Sequence, residues 1–169
     1  SKAEEKEIND PNAVAIATSD KHNQPNVRMV LLKNLSDRGF VFYTNFNSKK
    51  GGELKINLKA SMCFHWKSLR RQVRVIGKVE EVTSKEADDY YNSRPYKNRI
   101  SAWASSQSQI LDKRETFLNK IKEYEKKYPD ENNVPRPTHW SGWRLLPDEI
   151  EFWVDGEGRI HERLNYKNS

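Results

Sequence analysis

The chain has 169 residues, 35% of them hydrophobic and 11% aromatic, which excludes an intrinsically disordered chain and suffices for one domain, 1–169, with a buried core. Its 30 Lys and Arg against 24 Asp and Glu give a formal charge of +6, which suits anionic partners: phosphorylated small molecules, acidic lipid or nucleic acid. The single Cys excludes an internal disulfide, and no apolar run is long enough to span a membrane as a helix.

In chain order, "SKAEEKEIND" is charged and lacks the apolar core of a signal peptide, so a cytoplasmic location is expected. "DPNAVAIATSD" is a turn followed by a short buried strand, "KHNQPN" a loop, and "VRMVLLK" a second strand. The turn "SDRG" joins it to "FVFYTNF", a hairpin pattern. "NSKKGGELKINL" reads as a short helix capped by Asn47 or Ser48 and weakened by Gly51 and Gly52. "ASMCFHW" and "RRQVRVIGKVEEV" form another strand pair. Cys63 reads as a small buried hydrophobe rather than a nucleophile, and Val73, Val75, Gly77 and Val79 share a face opposite Gln72, Arg74, Ile76 and Lys78. "SKEADDYYNSRP" is a helix with Ser84 as N-cap, closed by Pro95. "DKRETFLNKIKEYEKKYP" is the clearest helix: Asp112 and Glu115 have capping-box spacing, and Phe117, Leu118, Ile121, Tyr124 and Tyr128 form a stripe. "GWRLLP" and "IEFWVDGEGRIHERLNY" supply the last strands, the latter broken by the turn "DGEG". Strands with interspersed helices and no regular βαβ alternation argue for an antiparallel barrel or sandwich with helices packed outside.

The four His are scattered without paired ligand spacing, so no metal site is expected. No phosphate-binding P-loop, dinucleotide fingerprint or nucleophile elbow occurs. What remains is a set of cation and hydroxyl clusters. Arg28 and Lys33 stand at the two ends of one strand. "YTNFNSKKG" carries Tyr43, Thr44, Ser48, Lys49 and Lys50 into a possible helix N-terminus, where free N–H groups favour phosphate. Tyr90 and Arg94 share a helical face. If "GRIHERLNY" is a strand, Arg159, His161 and Arg163 share one face. Each cluster alone could be solvated surface; together, in an aromatic-rich chain, they point to one or two phosphorylated ligands.

The ordered set "RMVLLK", "GFVFYTNFNSKKG", "RRQVRVIGKV", "YYNSRP", "ISAWASSQS", "HWSGWRLLPDEIEFW" and "RIHER" resembles the pyridoxine/pyridoxamine 5′-phosphate oxidase family over nearly the whole chain. The resemblance implies a mainly β fold with peripheral helices, a Greek-key-like antiparallel split β-barrel. It also implies a homodimer with FMN sites at the subunit interface. The implied reaction is oxidation of pyridoxamine or pyridoxine 5′-phosphate to pyridoxal 5′-phosphate, with hydride passing to FMN and oxygen reduced to hydrogen peroxide. Carried over by position, the FMN residues are Arg28, Met29, Val30, Leu31, Leu32, Lys33, Tyr43, Thr44, Lys49, Lys50, Gln72, Gln107, Ser108, Trp153 and Arg163. The substrate residues are Lys33, Tyr90, Arg94, Asn98, Arg159 and His161, with Arg159 and His161 catalytic.

This chain departs from the family pattern in places. Lys49 stands where Arg is usual, exchanging a bidentate fork for a point charge, Asn98 where Ser is usual, Ser101 where Gly is usual, and Glu162 where Asp is usual. The family's N-terminal lid and its C-terminal Arg-Leu-x-Pro strand have no counterpart in these residues. Two other readings compete: a split-barrel flavin reductase or carrier without vitamin B6 oxidase activity, and a single-stranded nucleic-acid binder using "RRQVRV" and exposed aromatics. Intact Tyr90, Arg94, Arg159 and His161 favour the oxidase, with no nucleic-acid or membrane partner expected.

Overall fold

The structure is a computed structural model describing residues 2–105 and 113–168. The elements run α1 (Lys2–Lys6), β1 (Ala13–Ser19), β2 (Pro25–Leu31), β3 (Asn34–Ser36), β4 (Gly39–Asn45), α2 (Lys49–Ile56), β5 (Lys59–Trp66), β6 (Arg71–Glu81), α3 (Ser84–Asn92), α4 (Tyr96–Ala104), α5 (Arg114–Lys127), β7 (Trp140–Val154) and β8 (Glu162–Lys167). The sheet order is β2-β1-β5-β6-β7-β4-β3, with β8 pairing β7. β1 is antiparallel to β2 and β5, β5 to β6, β3 to β4, and β7 to β8. Among the described residues no helix is long and apolar enough to cross a membrane.

The chain divides into two compact units. The first comprises Ser1–Phe42, Glu53–Glu80 and Trp143–Ser169; the second comprises Tyr43–Gly52 and Glu81–Gly142. The core of the first follows from strand alternation. Val14 and Ile16 of β1, Met62 and Phe64 of β5, and Val75 and Val79 of β6 are buried, joined by Phe42, Leu54 and Leu145. Each such side chain contributes roughly 1.5–3 kcal/mol on leaving water. The core of the second unit centres on Tyr91, Ala102 and Trp140, with Tyr43 and Tyr90 packed against it.

The expected valine face of β6 is the buried one. Cys63 differs from expectation. It is half-buried, because alternation turns it away from Met62 and Phe64; burial pushes its thiol pKa up, against the opposing charge of Arg74. The expected hairpin between the second strand and "FVFYTNF" is instead a hairpin between the short β3 and β4, while β2 pairs with β1. Thr83, not Ser84, caps α3: its hydroxyl accepts from the Glu86 N–H while the Glu86 carboxylate accepts from the Thr83 N–H. "GWRLLP" and "IEFWV" are one continuous strand, β7, running through Pro147. The stripe on α5 is only partly covered, with Leu118 45% exposed. Asp112 lies outside the described residues.

Candidate active site

In the first unit β2 alternates between an exposed face carrying Val27, Met29 and Leu31 and a half-buried face carrying Asn26, Arg28 and Val30. Both polar residues on the covered face reach Glu53 on α2. Arg28 Nη2 lies 2.9 Å from Glu53 Oε2, and Asn26 donates to Oε1 at 3.2 Å. Thr18 on β1 donates to Oε2 at 2.5 Å and accepts from Arg28 Nη1. Burial alone would raise the Glu53 carboxyl, but the bonds from Thr18, Asn26 and Arg28, with the charge of Arg28, hold it below the usual carboxylate range. The stretch Arg28 to Lys33 is thus split between two faces. Met29 and Leu31 look away from Arg28, and Lys33 lies exposed beyond β2, its backbone N–H donating to Val41.

At the other end of the first unit, β7 and β8 place Trp153 opposite Arg163. The buried Glu151 accepts from Arg74 at 3.1 Å and from Arg163 at 3.4 Å. Asp155 Oδ1 lies 3.0 Å from His161 Nδ1, and the imidazole packs on Trp153 with centroids 4.8 Å apart. The Gly156 N–H lies 3.4 Å from the same Nδ1, so both contacts converge on that nitrogen. Arg70 pairs with the same Asp155. The expected common face of Arg159, His161 and Arg163 is corrected here. Only Arg163 belongs to β8; Arg159 ends a 3-10 turn over Glu157–Arg159, and His161 precedes the strand. Gly158 (φ 64°) and Arg159 (φ 65°) take successive left-handed conformations, and that reversal interrupts the alternation. Glu151 faces Arg163, and Asp155 faces His161. Gln72 on β6 is half-buried and paired across the ladder with His65.

In the second unit Ser48 precedes α2 and caps it, its Oγ accepting from the Gly51 N–H at 3.2 Å. Lys50, only 6% exposed, donates from Nζ to Thr44 Oγ1 at 2.5 Å and Ser48 Oγ at 3.3 Å. A buried ammonium with two hydroxyls beside a helix start has the donor chemistry an anionic phosphate requires. Lys49, next along, is exposed.

A stack of rings forms the other part of this unit. Tyr43 and Tyr90 lie 4.0 Å apart at 16°, and Tyr43 and Trp140 5.4 Å apart at 7°. Tyr91 meets the Trp140 ring edge-on at 5.2 Å. The Arg94 guanidinium sits over the Trp140 ring, 4.8 Å from its centroid. Its Nη1 is buried with no hydrogen-bond partner among the described residues, and burial lowers its pKa from the usual value. A buried cationic donor left unmatched is costly unless a ligand completes it. Asn98 stands exposed on α4. Gln107 and Ser108 lie outside the described residues.

Sequence reasoning missed Thr18, Asn26 and Glu53 around Arg28, Asp155 beside His161, and Trp140 beneath Arg94. Only "HWSGW" offered a signal, a Trp-rich stretch that alternation alone reads as core.

Comparison with known proteins resolves the class. The family model described as "Pyridoxamine 5'-phosphate oxidase" matches residues 1–128, and that of the "Pyridoxine 5'-phosphate oxidase C-terminal dimerisation region" matches residues 140–169. The chain belongs to the pyridoxamine 5′-phosphate oxidase family. As a member of this oxidase family it is an oxidoreductase. It is 63% identical over 164 residues to the pyridoxine/pyridoxamine 5′-phosphate oxidase of Pelagibacter ubique, covering 97% of this chain and 79% of that one. It is 57% identical over 161 residues to the enzyme of the same name from Agrobacterium fabrum, covering 95% and 78%. Among solved structures, PhzG from Burkholderia lata 383, crystallised with tetrahydrophenazine-1-carboxylic acid, superposes with TM-score 0.89 at 30% identity, over 95% of this chain and 78% of that one. An FMN-binding, oxidase-related protein from Nostoc punctiforme shares the fold at TM-score 0.67 and 13% identity, over 94% and 88% of the two chains. The fold is therefore the mostly antiparallel split β-barrel of this oxidase family, with peripheral helices.

Proposed function

We propose that the protein oxidises pyridoxamine 5′-phosphate and pyridoxine 5′-phosphate to pyridoxal 5′-phosphate, using FMN and molecular oxygen and releasing hydrogen peroxide. The observation that carries the reading is the buried, unmatched Nη1 of Arg94 beside Tyr90, in a chain of this family. Bound FMN would supply the hydride acceptor and pass electrons to oxygen. The remaining work belongs to the chain. Lys50, Thr44 and Ser48 supply charge and hydroxyls for the FMN phosphate, with Arg28, Lys33, Tyr43, Gln72, Trp153 and Arg163 completing the cofactor set. Arg94 and Tyr90 take the substrate phosphate. His161, oriented by Asp155, offers Nε2 to the substrate's ring hydroxyl, and Arg159 contributes a cation over the same ring. Positioning of this kind lowers the barrier because the bound groups have already lost their orientational freedom.

The family's C-terminal dimerisation region and the exposed apolar face of β2, with Val27 65% and Met29 62% exposed, support a homodimer. Light scattering giving a monomer at micromolar concentration, with FMN bound, would remove that part. The activity itself is tested by aerobic incubation of the protein with added FMN and each phosphorylated substrate. Pyridoxal 5′-phosphate and peroxide should form together; FMN binding without turnover of either substrate would instead favour the flavin-carrier reading.

A further inference from the structure

We propose that Trp140 is a positioning residue that sets the selectivity for phosphorylated over unphosphorylated substrate, through the ring face it presents to Arg94. The inference rests on the phosphate-binding role proposed for Arg94. The indole is 7% exposed and nearly parallel to both tyrosines, at 7° to Tyr43 and 9° to Tyr90. A planar guanidinium over such a face is attracted by the ring quadrupole, more strongly once desolvated, as Arg94 is here. The contact restricts the guanidinium without consuming its N–H donors, so Nη1 stays available for an oxygen ligand. A carboxylate in the same place would orient Arg94 too, but it would occupy those donors and repel a phosphate.

Trp140 is itself held from several sides. Its backbone N–H donates to the Pro137 carbonyl at 3.0 Å, and its backbone carbonyl accepts from Arg136 Nη1 at 2.7 Å. Arg136 is anchored in turn by Asp88 at 2.6 Å. Tyr91 closes on the indole edge, with its own hydroxyl committed to the Arg99 carbonyl at 2.9 Å. Gly142 keeps the stack flat, because a Cβ there would meet the Tyr43 ring at 2.8 Å. Together these contacts fix the tilt of one ring.

The test uses the FMN-loaded protein with Trp140→Leu and Trp140→Phe, each checked for fold by circular dichroism and for flavin content. Kinetics are measured with pyridoxamine 5′-phosphate and with pyridoxamine, and pyridoxal 5′-phosphate and pyridoxal binding by absorbance titration. Trp140→Leu should raise KM for the phosphorylated substrate, and weaken pyridoxal 5′-phosphate binding, by about tenfold, the size expected for loss of a desolvated cation–π contact. Its kcat at saturation should fall by less than about threefold, as for loss of binding made equally in ground and transition states. Trp140→Phe, which keeps a smaller face, should show a rise of about threefold, again confined to phosphorylated ligands. If Trp140→Leu does not fold, Trp140→Phe alone decides. Equal losses for phosphorylated and unphosphorylated ligands, a loss confined to FMN content, or no change would overturn the proposal. Arg94→Ala separates it from the reading beneath: an unchanged KM for pyridoxamine 5′-phosphate in Arg94→Ala would sink the phosphate role of Arg94 itself.

Discussion

Arg28 shows how much of a residue's setting lies in neighbours that its own segment does not name. The sequence suggests a free strand cation for a phosphate, whereas the structure gives it a buried carboxylate partner, Glu53, 4% exposed. Removing one member of such a pair leaves the other uncompensated, so Glu53→Ala should cost about 3 kcal/mol or more of stability in urea denaturation. The pH dependence has a definite sign. Glu53 is held below its ordinary value of 4.5, so its contribution is complete above that pH and is lost as pH falls through the lower folded value. Glu53→Gln should therefore flatten the acid limb of the stability profile, and an unchanged limb would contradict the network. His161 and Trp140 carry the same lesson. Their residue types are visible in the sequence, but Arg94 is far from Trp140 along the chain, and Asp155, though just upstream of His161, meets it only because the intervening turn folds back.

Among the elements, those with a strong internal period were legible. Alternation alone identifies the buried face of β6 because four small or β-branched residues alternate without interruption. The sequence divides β7 into two strands because Pro147 looks like a break, yet a proline is tolerated where no ladder N–H is required. Alternation predicts strand over 159–161 because it is blind to a non-glycine residue at positive φ, here Arg159. α2 formed despite two glycines, and they differ in kind. A Cβ at Gly51 would come within 2.4 Å of the Phe46 carbonyl oxygen, whereas a Cβ at Gly52 meets nothing within 4 Å. Gly52→Ala should raise stability by roughly 0.5–1 kcal/mol, the usual helix-interior gain. Gly51→Ala should lower it by about 1 kcal/mol or more, because backbone must move. Denaturation midpoints of the two variants moving in the same direction would contradict this account of the cap.

For the whole molecule, the mainly β class with outer helices was legible because the strands outnumber the helices and never alternate with them regularly. The division into two units was not, since each is assembled from segments far apart in the chain. The proposed activity joins cofactor chemistry to recognition of a phosphorylated pyridine, and one measurement reaches both. The FMN-loaded protein is mixed anaerobically with pyridoxamine 5′-phosphate while the visible flavin absorbance is followed, and air is then admitted. The account predicts bleaching on mixing, recovery in air, and one pyridoxal 5′-phosphate formed per flavin reduced. A flavin that stays oxidised at saturating substrate would contradict it.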